Sequence, residues 1–155
     1  MPPTAAIAFG KVTPVLRVSD VKASEEYYVD RLGFKVDFRS PGYFVSVTRG
    51  RCCLFLCEGD QGHLGGWVWI DGVEVEKVYE EFLAGGAKIR HKPTNYPWAL
   101  EMQVEDLDGN VLRIGSDPKK DEPTGEWLDM NGCAGRRCPT AAGNASIISR
   151  GWDQG

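Results

Sequence analysis

The chain has 155 residues, is 42% hydrophobic and 26% charged, and carries a formal net charge of −4. That length predicts one domain or two small modules sharing a core, and that composition buries a sufficient core without staples. The acidic balance argues against a nucleic-acid partner. No apolar run approaches the roughly 20 residues of a membrane span. Residues 1 to 10 lack an export signal, so the expectation is a cytoplasmic protein with no membrane partner.

Residues 12 to 18 alternate and are β-rich, a strand that Pro14 places at an edge or a strand start. Asp20 is a helix N-cap, and Val21, Ser24, Tyr27, Tyr28 and Leu32 follow helical spacing until Gly33. Glu25 and Glu26 read as a solvated helix face. Strands are predicted at about 34 to 38, 43 to 48 and 52 to 57, with Pro41-Gly42 and Arg49-Gly50 as turns. Cys52, Cys53 and Cys57 fall in the last of these, as buried thiols acting as small hydrophobes. Glu58 to Gly66 is polar and Gly-rich, a linker.

The same order then repeats. A strand covers about 67 to 70 and a helix runs from Val73 to Ala84, ended by Gly85-Gly86. Strands follow at 87 to 91, 100 to 105 and 111 to 115, the last two joined by the Asp106–Asn110 turn. Each half is therefore β-α-β-β-β, an α+β fold. One helix covers one face of a four-stranded sheet, and the other face must bury against something. Residues 1–118 form this domain, with modules at about 12–58 and 66–117. Residues 119–155 are an extension, with an apolar anchor at Trp127-Leu128-Asp129-Met130 and little expected order beyond it. Cys133 and Cys138 lack the further ligands of a zinc site, and Asn144-Ala145-Ser146 is a sequon without an export context.

Pro14-Val15-Leu16 with Asp20-Val21, Asp30-Arg31-Leu32-Gly33-Phe34 with Asp37-Phe38, Leu54-Phe55, Trp67-Val68-Trp69-Ile70, Pro97-Trp98 and Asp108-Gly109-Asn110 together resemble the glyoxalase / bleomycin-resistance / dioxygenase superfamily. The Leu-Gly-Phe and Asp-Gly-Asn pieces indicate only the fold. Within the superfamily, the Trp-Val-Trp and Pro-Trp pieces are most similar to the bleomycin resistance proteins. That resemblance implies an intertwined homodimer with two interchain clefts, each sequestering one drug molecule unmodified, with no catalytic residues and no cofactor. It maps ligand-binding aromatics onto Phe38, Trp67, Trp69 and Trp98, with Tyr43 at the rim and Gly109 in the adjoining turn. Stacking between Phe38 and Trp98 would suit flat rings, and Asp37, Glu58 and Asp60 would suit a cationic tail. Against these stand packing in the core or under the helix for Phe38, Trp67 and Trp69, exposure or a dimer contact for Trp98, and solvation for the acids.

The superfamily's enzymes hold a divalent metal with one side chain from each of four strands. In this sequence the resemblance puts those positions near Thr13, Leu56, Gly65 and Arg113, none of which is a good metal ligand. His63 lies two residues from its expected place and His91 falls in another strand. A metal-dependent lyase or dioxygenase is thus the alternative reading. Arg17 and Arg113 open a third, an aromatic or anionic ligand, unless the arginines pair with Glu101, Glu105 or Asp37.

Overall fold

The computed structural model describes residues 10–72 and 74–127. Strand β1 (Val15–Arg17) leads to helix α1 (Val21–Asp30), then to β2 (Lys35–Ser40), β3 (Phe44–Arg49) and β4 (Cys52–Cys57). The Asp20 side chain accepts the Ala23 N–H and caps α1. The chain leaves the helix through Gly33, at φ +67°, which favours glycine. The sheet order is β1-β4-β3-β2, with β1 parallel to β4 and the other pairs antiparallel.

The second module repeats this with β5 (Trp67–Asp71), α2 (Val75–Ala84), β6 (Lys88–Asn95), β7 (Leu100–Glu105) and β8 (Val111–Ser116), in sheet order β5-β8-β7-β6. Helix α2 starts two residues later than the pattern predicts, and Glu74 before it makes no side-chain capping bond. Strand β6 runs to Asn95 rather than ending at 91, because register shifts between Ile89 and His91 and between His91 and Thr94 absorb Pro93. Strand β1 is shorter than the alternation suggests.

One face of each sheet packs on its helix. Leu16, Val45, Val47, Leu54 and Leu56 from the first sheet, and Leu100, Met102, Val104, Leu112 and Ile114 from the second, join Tyr28, Leu32, Val75 and Phe82 in one core. Polar contacts also bridge the modules. The Tyr27 hydroxyl donates to the Glu105 carbonyl (2.6 Å) and the Tyr28 hydroxyl to Asp106 (3.0 Å). Arg49, which also holds the Leu32 carbonyl of its own module, donates to Glu81, and Asn110 donates to the Arg17 carbonyl. Burial, and then the Asp106 carboxylate, push the Tyr28 phenol well above its ordinary value.

Residues 117–123, polar and carrying Pro118 and Pro123, are tied to the second module. Buried Asn95 donates to the carbonyls of Lys119 and Glu122 and accepts the Lys119 N–H, while the Lys119 ammonium pairs with Glu76 of α2. The chain divides into units 1–124 and 125–155. Of the second, only 125–127 are described, so Leu128, Met130, Cys133, Cys138 and Asn144 lie outside the described residues. Among the described residues, no helix is long and apolar enough to cross a membrane.

Candidate functional site

Strand alternation settles which side chains stand on the face away from each helix. In the first sheet, Leu54 and Leu56 point into the core, so Cys53, Phe55 and Cys57 share the open face. Phe44 and Ser46 of β3 stand there too, since Val45 and Val47 are core. A bulge between Val36 and Phe38 in β2 brings both Asp37 and Phe38 to this side. Phe38 stacks on Phe44 (6.0 Å, 19°) and meets Phe55 edge-on (5.9 Å), and Phe44 lies 5.0 Å from Phe55. Ser46 donates to the Asp37 carboxylate at 3.3 Å. Phe38 keeps 47% of its surface exposed. The alternation of β3 and β4 already carried the signal for Phe44 and Phe55, which the sequence reading did not single out.

In the second sheet Val68 and Ile70 pack on the core, which puts Trp67 and Trp69 together on the open face. The Arg90 guanidinium lies 5.2 Å from the Trp67 ring centroid, and that of Arg113 lies 5.2 Å from Trp69. The Trp69 N–H donates to Asp71 at 2.8 Å. Beside them Glu101 is fully buried. Arg113 binds it with two parallel bonds, Nε at 2.7 Å and Nη2 at 2.9 Å, and Gln103 and Trp98 donate to it at 3.3 and 3.4 Å. Arg90 donates to Gln103 and to Glu105. Lys88, then Arg90, hold the Glu105 carboxyl below its usual range against the opposing effect of burial. Trp98, in the β6–β7 turn, stacks flat on Tyr96 (4.8 Å, 2°) and remains 50% exposed.

The expected ligand residues thus fall into two groups. Asp37, Phe38 and Arg17 belong to the open face of the first sheet, where the Arg17 guanidinium reaches the Gly62 carbonyl at 3.5 Å. Trp67, Trp69 and Arg113 belong to that of the second, with Trp98 against Glu101 at its end. Phe38 stacks on Phe44 and Trp98 on Tyr96 within the chain. Tyr43 and Asp60 are exposed in loops. Glu58 is engaged in the fold: its carboxylate accepts the Val21 N–H at 2.8 Å, at the positive end of α1. Gly109 sits in the β7–β8 turn, at the opposite end of β7 from Trp98. Two recesses, of 270 Å³ beside Glu74–Lys77 and 420 Å³ beside Glu25–Asp30, include none of these residues.

The donor set does not suit a divalent metal. Leu56, one of the four implied positions, points into the core rather than to the open face, where its neighbours are Phe55 and Cys57. Arg113, another, presents a cation already held by Glu101. His91 bonds the Lys92 carbonyl and Thr94 within β6. Among the described residues, no three His, Cys, Asp or Glu side chains gather in metal-binding geometry.

The family model described as Glyoxalase/Bleomycin resistance protein/Dioxygenase superfamily matches residues 9–114. No curated protein matches the chain. Among solved structures, TnmS3, an antibiotic binding protein from Streptomyces sp. CB03234, is similar at 21% identity and a TM-score of 0.64, over 72% of this chain and 99% of that one. TioX from Micromonospora sp. ML1 is similar at 19% identity and 0.61, over 70% and 99%. Virulence protein STM3117 from Salmonella typhimurium is similar at 20% identity and 0.58, over 72% and 99%. At these identities the likeness is one of fold.

Proposed function

The chain belongs to the glyoxalase/bleomycin resistance protein/dioxygenase superfamily, and from that premise we propose that it is a non-catalytic cytoplasmic protein that sequesters a flat aromatic antibiotic of the bleomycin type. Two copies of the chain would pair so that each cleft is closed between the open faces of two sheets. The observation that carries this reading is the placement of the aromatic side chains. Phe38, Phe44 and Phe55 on one sheet, and Trp67 and Trp69 with Trp98 on the other, all stand away from the helices.

Planar rings suit such surfaces. Each offset stack adds about 0.5–1.5 kcal/mol beyond area burial. The arginines do not make the second face a general anion trap, because Glu101 opposes Arg113 and Glu105 opposes Arg90. That favours a neutral or cationic ring system, with Asp37 beside the phenylalanines on the first sheet as a counter-ion. The likeness to TnmS3 supports small-molecule binding as the general class.

The test is a titration of metal-checked protein with metal-free bleomycin, followed by tryptophan fluorescence and calorimetric heat. The expected result is saturable binding near one drug per chain, on a particle sedimenting as two chains, lost in Trp98→Ala. No binding at up to roughly 100 μM, a concentration that would still detect a weak complex, would remove bleomycin and turn the search to anionic aromatics. A stoichiometric co-purified metal would favour a lyase or dioxygenase instead.

A further inference from the structure

We infer that Gly115 is a specificity-determining residue of the candidate site, because it lets the Trp69 indole lie down across β8 as a platform for a planar ring. The inference rests on the sequestration reading and names what sets the depth of the second sheet's open face. Register pairs Trp69 with Arg113 and Asp71 with Gly115. The indole therefore starts beside Arg113 and reaches along the sheet, with its N–H on Asp71 and its six-membered ring above Gly115. A Cβ at position 115 would overlap Cη2 and Cζ2 of that ring and stand 3.0 Å from Cζ3. The 115 backbone is not in the left-handed region, so the glycine is not needed for its turn conformation. What it supplies is room. Trp69 uses that room and still keeps 41% of its surface exposed.

The first module shows the same site without this demand. By register, Cys57 stands where Gly115 stands, and Val15 where Trp69 stands. Above the small Val15 a side chain at 57 is accommodated, and Cys57 is fully buried. Only where the neighbour is an indole is the position reduced to hydrogen. A methyl at 115 would lift the ring off the sheet and stand it in the space a ligand would enter.

The experiment uses full-length protein labelled with 5-fluorotryptophan, with the Trp69 fluorine resonance identified through Trp69→Phe. Gly115→Ala is expected to shift that resonance and to leave the Trp98 resonance in place. It is expected to weaken metal-free bleomycin about tenfold, the loss of roughly one stacked ring. Adding Gly115→Ala to Trp69→Ala is expected to change affinity within about twofold, because the two act as a unit. A Gly115→Ala protein that fails to fold while the double variant folds also supports the clash. An unmoved Trp69 resonance overturns the inference, as does wild-type binding matched by Gly115→Ala. A wild type that binds no bleomycin removes that drug from the sequestration reading and, with it, the ligand assigned to the platform, while the Trp69 resonance still decides whether Gly115 seats the indole.

Discussion

The two modules share a lattice and differ in what they hang on it. Register aligns Phe44 with Glu101, Ser46 with Gln103 and Phe55 with Arg113. The bulge after Val36 aligns with the shift after Ile89, so Asp37 matches Arg90 and Phe38 matches His91. The ring contact of Phe44 with Phe55 in the first module thus occupies the place of the Glu101–Arg113 ion pair in the second. The Asp37–Ser46 bond likewise has its counterpart in Arg90–Gln103, with the charge reversed. On the helix side both modules keep aliphatic residues at the matching positions. The face toward the helix is thus alike in the two modules, while the open face is apolar and acidic in one and charged and tryptophan-bearing in the other.

Several substitutions would break that comparison. Arg113→Met strands a fully buried carboxylate and is expected to cost about 3 kcal/mol in urea unfolding. Adding Glu101→Leu should recover most of the loss, since the first module shows an apolar pair serving at the same place. If the double variant is no more stable than the single, the two positions are not interchangeable. Phe55→Ala removes a half-buried ring and leaves no charge behind, so a smaller cost of about 2 kcal/mol is expected. The helices differ too. Asp20→Ala should lose about 1 kcal/mol with its cap, and Glu74→Ala, with no capping bond to lose, at most about 0.5 kcal/mol.

The smallest effect concerns pH. Glu105 has its carboxyl lowered in the fold by Lys88 and Arg90, so its contribution is present above the unfolded value and lost as pH falls through the folded one. Its neighbour Asp106 is raised by burial, and its contribution runs the other way, fading as pH rises. Glu105→Gln should therefore flatten the acid limb of stability below roughly pH 4.3 by about 0.5 kcal/mol, a figure kept small because Lys88 is exposed. An acid limb identical to wild type would show that the pair contributes nothing.

The fold was legible because period-two and period-3.6 patterns recur in the same order in both halves, and because Asp20, Gly33 and the Asp106–Asn110 turn punctuate them. The pairing of Trp67 and Trp69 on one face followed from alternation alone. Which face it was did not, since either a helix or a ligand could cover an indole until Val68 and Ile70 were seen in the core. The partner of Arg113 was among the carboxylates named from sequence, but not its full burial. The Glu58 contact had no local signal, because a carboxylate just past a strand reads as solvated, and only the return of α1 alongside β4 brings the Val21 N–H to it. The Asn95 hold on 119–122 has no local pattern at all, because it joins a strand end to a proline-bounded stretch 24 and 27 residues away.

The tyrosine contacts across the modules bear on how the chain is made. Tyr27 and Tyr28 belong to the first helix, yet their hydroxyls find partners 78 residues later, at Glu105 and Asp106. During synthesis the first sheet can close under α1 once β4 has emerged, but those two phenols must wait for the seventh strand. A half-made chain therefore exposes a surface that is incompletely bonded, and neither half is a spare part. The fold has two similar pieces, and the tyrosines tie the completion of the first to the arrival of the second.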